Sequence, residues 1–331
     1  MDLKIRKRAP LLLILAAMLI GGSCVKNSTT TPPISNPTIA QVIKSATNLT
    51  IWNAALIRAN LDTVLNDTTF RGTVFVCTDQ VMGNYGLGAN VIDTMGIGRL
   101  DTILLYNIIA GEALLSTALV PGGTGQNVST QIASGDSVFI TYEGGALFVN
   151  GISAPTTDVR AGEDGYLDVM AQPLIPPSGT IMQILQADTT LSYFDSLIAL
   201  TSGASNNLQA LLTSGIYTVF VPNNTAIRNL SPNAYDSLKI LQVDSLANLL
   251  AFHFVTGRYF TSDMLIALSN PSNNSGVITQ PTLSDSALKV SEGVAFQVQG
   301  AGDSGVAANI FAPNILARNG VVHKVDKVLV P

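Results

Sequence analysis

Thr73-Val74-Phe75-Val76 and Thr218-Val219-Phe220-Val221 decide how this chain is read. Each is a β-branched and aromatic run of the kind that forms a buried strand. Each breaks into a polar corner, Cys77-Thr78-Asp79 in the first copy and Pro222-Asn223-Asn224 in the second. Side chains of those types accept from nearby backbone N–H groups and suit a turn or a helix start. The copies stand about half a chain apart, which prompts a search for further repetition. Leu104-Leu105-Tyr106-Asn107-Ile108-Ile109-Ala110-Gly111 returns as Leu250-Ala251-Phe252-His253-Phe254-Val255-Thr256-Gly257. Gly165 to Val169, running on to Leu174-Ile175-Pro176, returns as Gly320 to Lys324, running on to Leu329-Val330-Pro331. Three landmarks in one order mean a duplicated domain.

Working outward, Ile39 to Leu65 has apolar residues at helical spacing, Ile181 to Leu212 holds one or two helices, and Leu238 to Phe254 passes from helix to strand. Ser231-Pro232 has the form of a helix start, with Ser as N-cap and Pro at the first helical position. Gly83 to Gly98 reads as a surface loop: no Gly-Lys-Ser/Thr follows its glycines, so it is not a phosphate loop. Hairpins are expected around Glu143-Gly144-Gly145 and Ser291-Glu292-Gly293, and Val321 to Val330 closes the chain. Helices preceding and interrupting short antiparallel strands argue for α+β.

The order TVFxPxxxA, LxYHxxxG and NGxxHxxDxVLxP resembles the fasciclin (FAS1) domain. The second copy carries it in Thr218 to Ala226, in Phe252-His253, and in Asn319-Gly320-Val321-Val322-His323-Lys324-Val325-Asp326 to Pro331. The first copy departs from the pattern, with Cys77 where Pro is usual, Asn107 where the first His is usual and Asp168 where the last His is usual. The resemblance implies two tandem FAS1-like domains, 39–176 and 178–331. Each would be a short-stranded antiparallel β-sandwich or wedge with packed helices. It also implies adhesion or binding without catalysis, through surface loops and strand edges, with Phe252, His253, Asn319, Gly320, His323 and Asp326 as packing landmarks.

The chain has 331 residues, 47% hydrophobic and 12% charged, enough for two domains with ample cores. Residues 1–23 have the form of an export signal: Lys4, Arg6, Lys7 and Arg8, then an apolar run from Leu11 to Ile20 too short for a good membrane span. Gly21-Gly22-Ser23-Cys24 resembles a bacterial lipobox, although Gly21 stands where Leu is usual. It implies cleavage before Cys24 and acylation there, which would hold the protein on a lipid bilayer without a transmembrane helix. Residues 24–38 then read as a Pro- and Thr-rich tether. Removal of the leader leaves 13 basic against 21 acidic residues, a net charge of −8. That balance excludes nucleic acid as a partner. Bacteroidetes surface lipoproteins carry acidic residues after the lipidated Cys, whereas Val25-Lys26-Asn27 follows here, so an outer-membrane lipoprotein is expected with its face left open.

Candidate chemistry is sparse. The two histidines, His253 and His323, sit in apolar surroundings and read as buried structural imidazoles. Only Asp263 and Asp326 neighbour them in sequence as potential metal ligands, and HExxH, CxxC and Gly-x-Ser-x-Gly motifs are absent. Cys77 reads as a small buried thiol. No metal, cofactor or catalytic residue is expected. Eleven of eighteen Asp residues precede Ser or Thr. The pattern resembles the Asp-Ser/Thr-aliphatic O-glycosylation acceptor of Bacteroidetes and implies glycans on several of Thr63, Thr94, Thr102, Ser137, Ser196, Ser237, Ser245 and Ser286. Helix and turn capping by the same pairs is the competing reading. The ligand is an unknown protein or glycan. An alternative role is a glycan-binding accessory of an outer-membrane polysaccharide uptake system, for which Tyr85, Tyr142, Tyr166 and Tyr259 are the candidate exposed aromatics.

Overall fold

The computed structural model describes residues 37–331 apart from 163, 164, 274, 285 and 304. The signal segment, Cys24 and the tether up to residue 36 lie outside the described residues. The first half contains α1 (Ile39–Ser45), α2 (Thr50–Arg58), α3 (Asp62–Leu65), β1 (Gly72–Val76), α4 (Asp79–Asn84), α5 (Ala89–Thr94), α6 (Ile97–Leu105) and β2 (Ile108–Ala110). It continues with β3 (Gly125–Gln131), β4 (Ser137–Glu143), β5 (Ala146–Val149), β6 (Ile152–Ser153), β7 (Thr156–Arg160) and β8 (Gly165–Val169). The second half opens with α7 (Ile181–Ala187), α8 (Ser192–Leu200), α9 (Leu208–Ser214), β9 (Tyr217–Pro222), α10 (Asn224–Leu230), α11 (Ala234–Lys239), α12 (Val243–Ala251) and β10 (Phe254–Thr256). It ends with α13 (Thr261–Ser269), β11 (Val277–Pro281), β12 (Ala287–Glu292), β13 (Phe296–Gln299), β14 (Ala308–Ala317) and β15 (Gly320–Val325).

The halves share one strand plan. β1 lies between β2 and β8 as β9 lies between β10 and β15, in the orders β2-β1-β8-β7 and β10-β9-β15-β14. The quoted strands are thus central and buried on both faces, and their side chains alternate between two cores. Val74 and Val76 join the helices of the first half, while Phe75 joins the hairpin strands behind. Val219 and Val221 face the helices of the second half, while Phe220 faces its hairpin strands. Even the first helices start alike. Thr38 and Thr180 each accept from the backbone N–H three residues on, and Gln41 and Gln183 each accept from the cap's own N–H.

The α+β class is the one read from the sequence, but the sheets are mixed and not wholly antiparallel. β1 pairs with β8, and β9 with β15, in parallel, because each last strand returns after a long excursion through the hairpins. The stretch 39–65 is three helices. Asn60 adopts left-handed φ (57°), and the N–H groups of Asn60 and Leu61 turn back onto the carbonyls of Ile57 and Leu56. Gly83 to Gly98 is not a loop: it contains the end of α4, all of α5 and the start of α6. Buried Met82, Leu87, Ile92 and Met95 anchor these turns, so tertiary burial overrides the low helix propensity of glycine. Ser231 does not cap a helix. It follows α10 in extended geometry, Asn233 turns the chain at φ 57°, and α11 begins at Ala234, whose side chain is buried. The last strand stops at Val325, and Val328 and Leu329 continue as buried coil.

Candidate functional site

The landmark residues form a packing system. His253, just before β10, is fully buried. Its Nδ1 lies 3.3 Å from the Leu249 carbonyl and its Nε2 accepts from the Leu329 N–H at 3.0 Å. His323, opposite Phe220 on β15 and stacked on its ring, is also fully buried. Its Nδ1 accepts from the Asn314 N–H at 3.2 Å, and its Nε2 lies 2.9 Å from the Tyr259 carbonyl. Each ring therefore uses one nitrogen as donor and the other as acceptor, with opposite tautomers. Burial drives both pKa values down to about 4, against the partial support of their backbone contacts. Both imidazoles are neutral at pH 7; His253 ties α12 to the closing coil, and His323 ties β14 to the turn at Tyr259.

The other landmarks also face inward. The Asn319 side chain accepts from the Ile181 N–H at 2.8 Å and donates to the Leu212 carbonyl at 2.6 Å. A Cβ on Gly320 would overlap the Tyr217 carbonyl oxygen, so only glycine admits the parallel pairing there. Phe252 packs where Gly300 leaves room for its ring. Asp326 accepts from the Asn309 backbone N–H and side-chain amide, both at 2.7 Å. Asp263 accepts from the Phe260 N–H at 2.8 Å and from the Thr141 hydroxyl at 3.0 Å. Neither carboxylate bonds to a histidine, and among the described residues no three His, Cys, Asp or Glu side chains converge.

The substitutions in the first half acquire a physical account. Asn107 stands in the place of His253 and donates to the Ile103 carbonyl at 2.7 Å and to the Leu174 carbonyl at 3.0 Å. It ties the same helix end to the same closing segment. Asp168 stands in the place of His323 and accepts from the Asp158 N–H at 2.8 Å, as His323 does from Asn314. Asp158 and Asn314 are themselves matched, both at left-handed φ near 60°. Asp168, however, leaves Oδ2 buried with no protein partner. Burial raises its pKa to about 7, reinforced by the Asp158 charge. Cys77 is also buried, and burial pushes its thiol up to about 11, far from a reactive thiolate.

The open chemistry lies on the seam between the halves. Phe260, Leu316 and Val321 of the second half complete the hairpin-side core of the first. The Arg258 guanidinium lies 3.9 Å above the Phe139 ring and donates to the Arg318 carbonyl at 3.2 Å. Asn127 donates to the Arg258 carbonyl, and Asn314 donates to the Gly151 carbonyl at 3.2 Å. A cleft of about 370 Å³ opens here, with Ser129, Asp136 and Phe139 on one wall and Ile216, Arg258 and Arg318 on the other. Arg258 and Arg318 were not singled out in the sequence, and Asp136 entered only as the acid of the Asp136-Ser137 pair, because all three fall outside every repeated landmark and meet only across the seam. Another cleft, about 390 Å³, lies wholly in the second half beside Asp326, Leu230 and Val306.

The hydroxyls in Asp-Ser/Thr pairs divide by exposure. Thr63, Thr94, Thr102, Ser196, Ser237 and Ser245 are exposed, whereas Ser137 and Ser286 are half-buried. Of the tyrosines, Tyr85 is exposed while Tyr142, Tyr166 and Tyr259 are half-buried. The sequence reading overlooked a stacked pair, Tyr193 on Tyr235 with centroids 4.0 Å apart, flanked by Arg228 and Lys239.

Residues 192–331 match the family model described as the Fasciclin domain. The uncharacterized protein sll1735 of Synechocystis is 30% identical over 136 residues, 41% of this chain and 88% of that protein. The chain belongs to the fasciclin family. The first half joins this fasciclin assignment through its shared element order and strand pairing, which make the chain a tandem pair. Immunogenic protein MPB70 of Mycobacterium bovis is 31% identical over 141 residues, 41% of this chain and 62% of that protein. The pig transforming growth factor-beta-induced protein ig-h3 is 30% identical over 172 residues, 52% of this chain but 22% of its own length. Among solved structures, a FAS1 domain pair from the insect cell adhesion molecule Fasciclin I has TM-score 0.40 and 19% identity, covering 85% of this chain and 96% of that one.

Proposed function

We propose that the protein is a non-catalytic adhesion or binding protein of the cell envelope that works through its two fasciclin domains. Fasciclin-domain proteins are adhesion-type and non-catalytic. The observation that carries the reading is the use made of the titratable landmarks. His253, His323 and Asp168 are sealed in the core as packing partners, while exposed Asp136 and Arg318 line the seam cleft. Beads coated with the full chain are expected to adhere to cells of the host or to their extracellular polymer. Adhesion no better than with uncoated beads overturns the reading.

Anchoring belongs to the same proposal. The basic segment, the apolar run and Gly21-Gly22-Ser23-Cys24 support acylation at Cys24 and residence in the outer membrane. Among the described residues no helix is long and apolar enough to cross a membrane. Cys24→Ala is expected to move the protein from the membrane to the soluble fraction. Protease shaving of intact cells, with lysed cells as control, reports which face it occupies. O-glycans on the six exposed candidates Thr63, Thr94, Thr102, Ser196, Ser237 and Ser245 would add mass above the lipidated polypeptide, and an intact mass equal to that polypeptide overturns this part.

A further inference from the structure

The seam cleft brings two guanidinium groups into one lining. The chain is acidic overall and carries only seven Arg residues after residue 36, yet two of them, Arg258 and Arg318, line this one cleft. The Arg258 guanidinium is committed on one face to Phe139 and through Nη2 to the Arg318 carbonyl. Its Nε is buried without an acceptor, and Nη1 has no protein acceptor among the described residues. The Arg318 side chain is exposed and forms no ion pair among the described residues. The exposed Arg318 fork, with the unpaired Nη1 of Arg258 in the lining of the same cleft, suits a carboxylate.

The remaining wall narrows the ligand. Asp136 is exposed on the opposite side; one of its oxygens contacts the Ser134 hydroxyl at 3.4 Å, and it forms no ion pair with either Arg among the described residues. A carboxylate there repels a dense polyanion but accepts hydrogen bonds from hydroxyl groups. Ser129 adds a further hydroxyl, and Ile216 and Leu316 supply apolar surface for C–H groups. At about 370 Å³ the cleft is of small-ligand size. One carboxylate, several hydroxyls and an apolar face, in that volume, describe a sugar acid. We infer that the seam cleft binds a uronate residue of an acidic polysaccharide, with Arg258 and Arg318 on its carboxylate and Asp136 and Ser129 on its hydroxyls.

This inference rests on the binding-protein reading and specifies its ligand. The test is calorimetric titration of the full chain with an otherwise neutral oligosaccharide carrying a single uronate residue, its methyl ester and a sulfated neutral oligosaccharide, at low salt. Saturable binding of the uronate is expected, at least tenfold weaker for the ester and weakened by high salt. Arg318→Gln, at an exposed side chain outside the core, is expected to weaken uronate binding about 10- to 100-fold, the value of a charged bidentate contact. Arg258 also holds the seam, so Arg258→Lys is read only beside an unchanged circular dichroism spectrum, and the same weakening is expected. Absence of uronate binding, equal binding of the ester or the sulfated sugar, or an unaffected Arg318→Gln each overturns the assignment. Bead adhesion that persists despite a flat uronate titration overturns this site and leaves the adhesion reading standing; loss of both overturns both.

Discussion

At single residues, the two halves have made opposite electrostatic choices at one structural position. His323 and His253 have folded pKa values near 4, below the ordinary 6.5. Their contribution to stability is complete above pH 6.5 and is lost as pH falls through 4. Asp168 has a folded pKa near 7, above the ordinary 3.8. Its contribution is complete below pH 3.8 and is lost as pH rises through 7. Acid therefore weakens the second domain while neutral and alkaline pH weaken the first. Asp168→Asn keeps an acceptor for the Asp158 N–H and removes the buried charge. It is expected to raise stability at pH 8 by roughly 1–4 kcal/mol and to change it little at pH 4, as checked by urea unfolding at both pH values. A variant no more stable at pH 8 than the parent contradicts this assignment of the carboxyl.

At the scale of elements, glycines separate into those with a steric task and those without. Gly320→Ala would drive a methyl into the Tyr217 carbonyl within the β9–β15 pair, and nothing flexible can yield. A loss of about 3 kcal/mol or more is expected, seen as a lower urea midpoint. Gly98 lies inside α6 with open space around its would-be Cβ. Gly98→Ala is expected to stabilise by about 0.5–1 kcal/mol in the same assay. The matched capping boxes give a third comparison: Thr180→Ala removes the acceptor for the Gln183 N–H and is expected to cost about 1 kcal/mol. Gln183→Ala should cost less, since it leaves that acceptor in place.

For the whole molecule, the shared core at the seam implies cooperative unfolding. Phe260 is buried among first-half residues and lies 6.2 Å from the Phe139 ring. Two additional polar ties, Thr141 to Asp263 and Asn314 to Gly151, cross the same boundary. The intact pair is expected to melt in one calorimetric transition. Phe260→Ala should cost about 3–5 kcal/mol and split the melt into two. Two transitions in the parent protein would show that the seam does not couple the domains.

Much of this architecture is legible in the residues themselves. Thr73 to Val76 and Thr218 to Val221 announce central strands because a strand buried on both faces is β-branched or aromatic almost throughout, its buried Thr hydroxyls bonded to backbone carbonyls. The repeat announces the duplication because equal packing needs select equal residues. Element boundaries were less legible: Gly83 to Gly98 becomes helical only once Met82, Leu87, Ile92 and Met95 find a core, which local propensity does not contain. Parallel pairing of the closing strands was hidden for the same reason, since direction depends on the path of the intervening chain. The roles of Asn107 and Asp168 looked like lost landmarks until their partners appeared across the fold. Sequence by itself determined the duplication, the α+β class and the strands at its centre, because these follow from local patterns of burial. Tertiary structure alone decided the seam and its cleft, because Arg258, Arg318 and Asp136 are far apart in the chain and acquire a common chemistry only where the two halves meet.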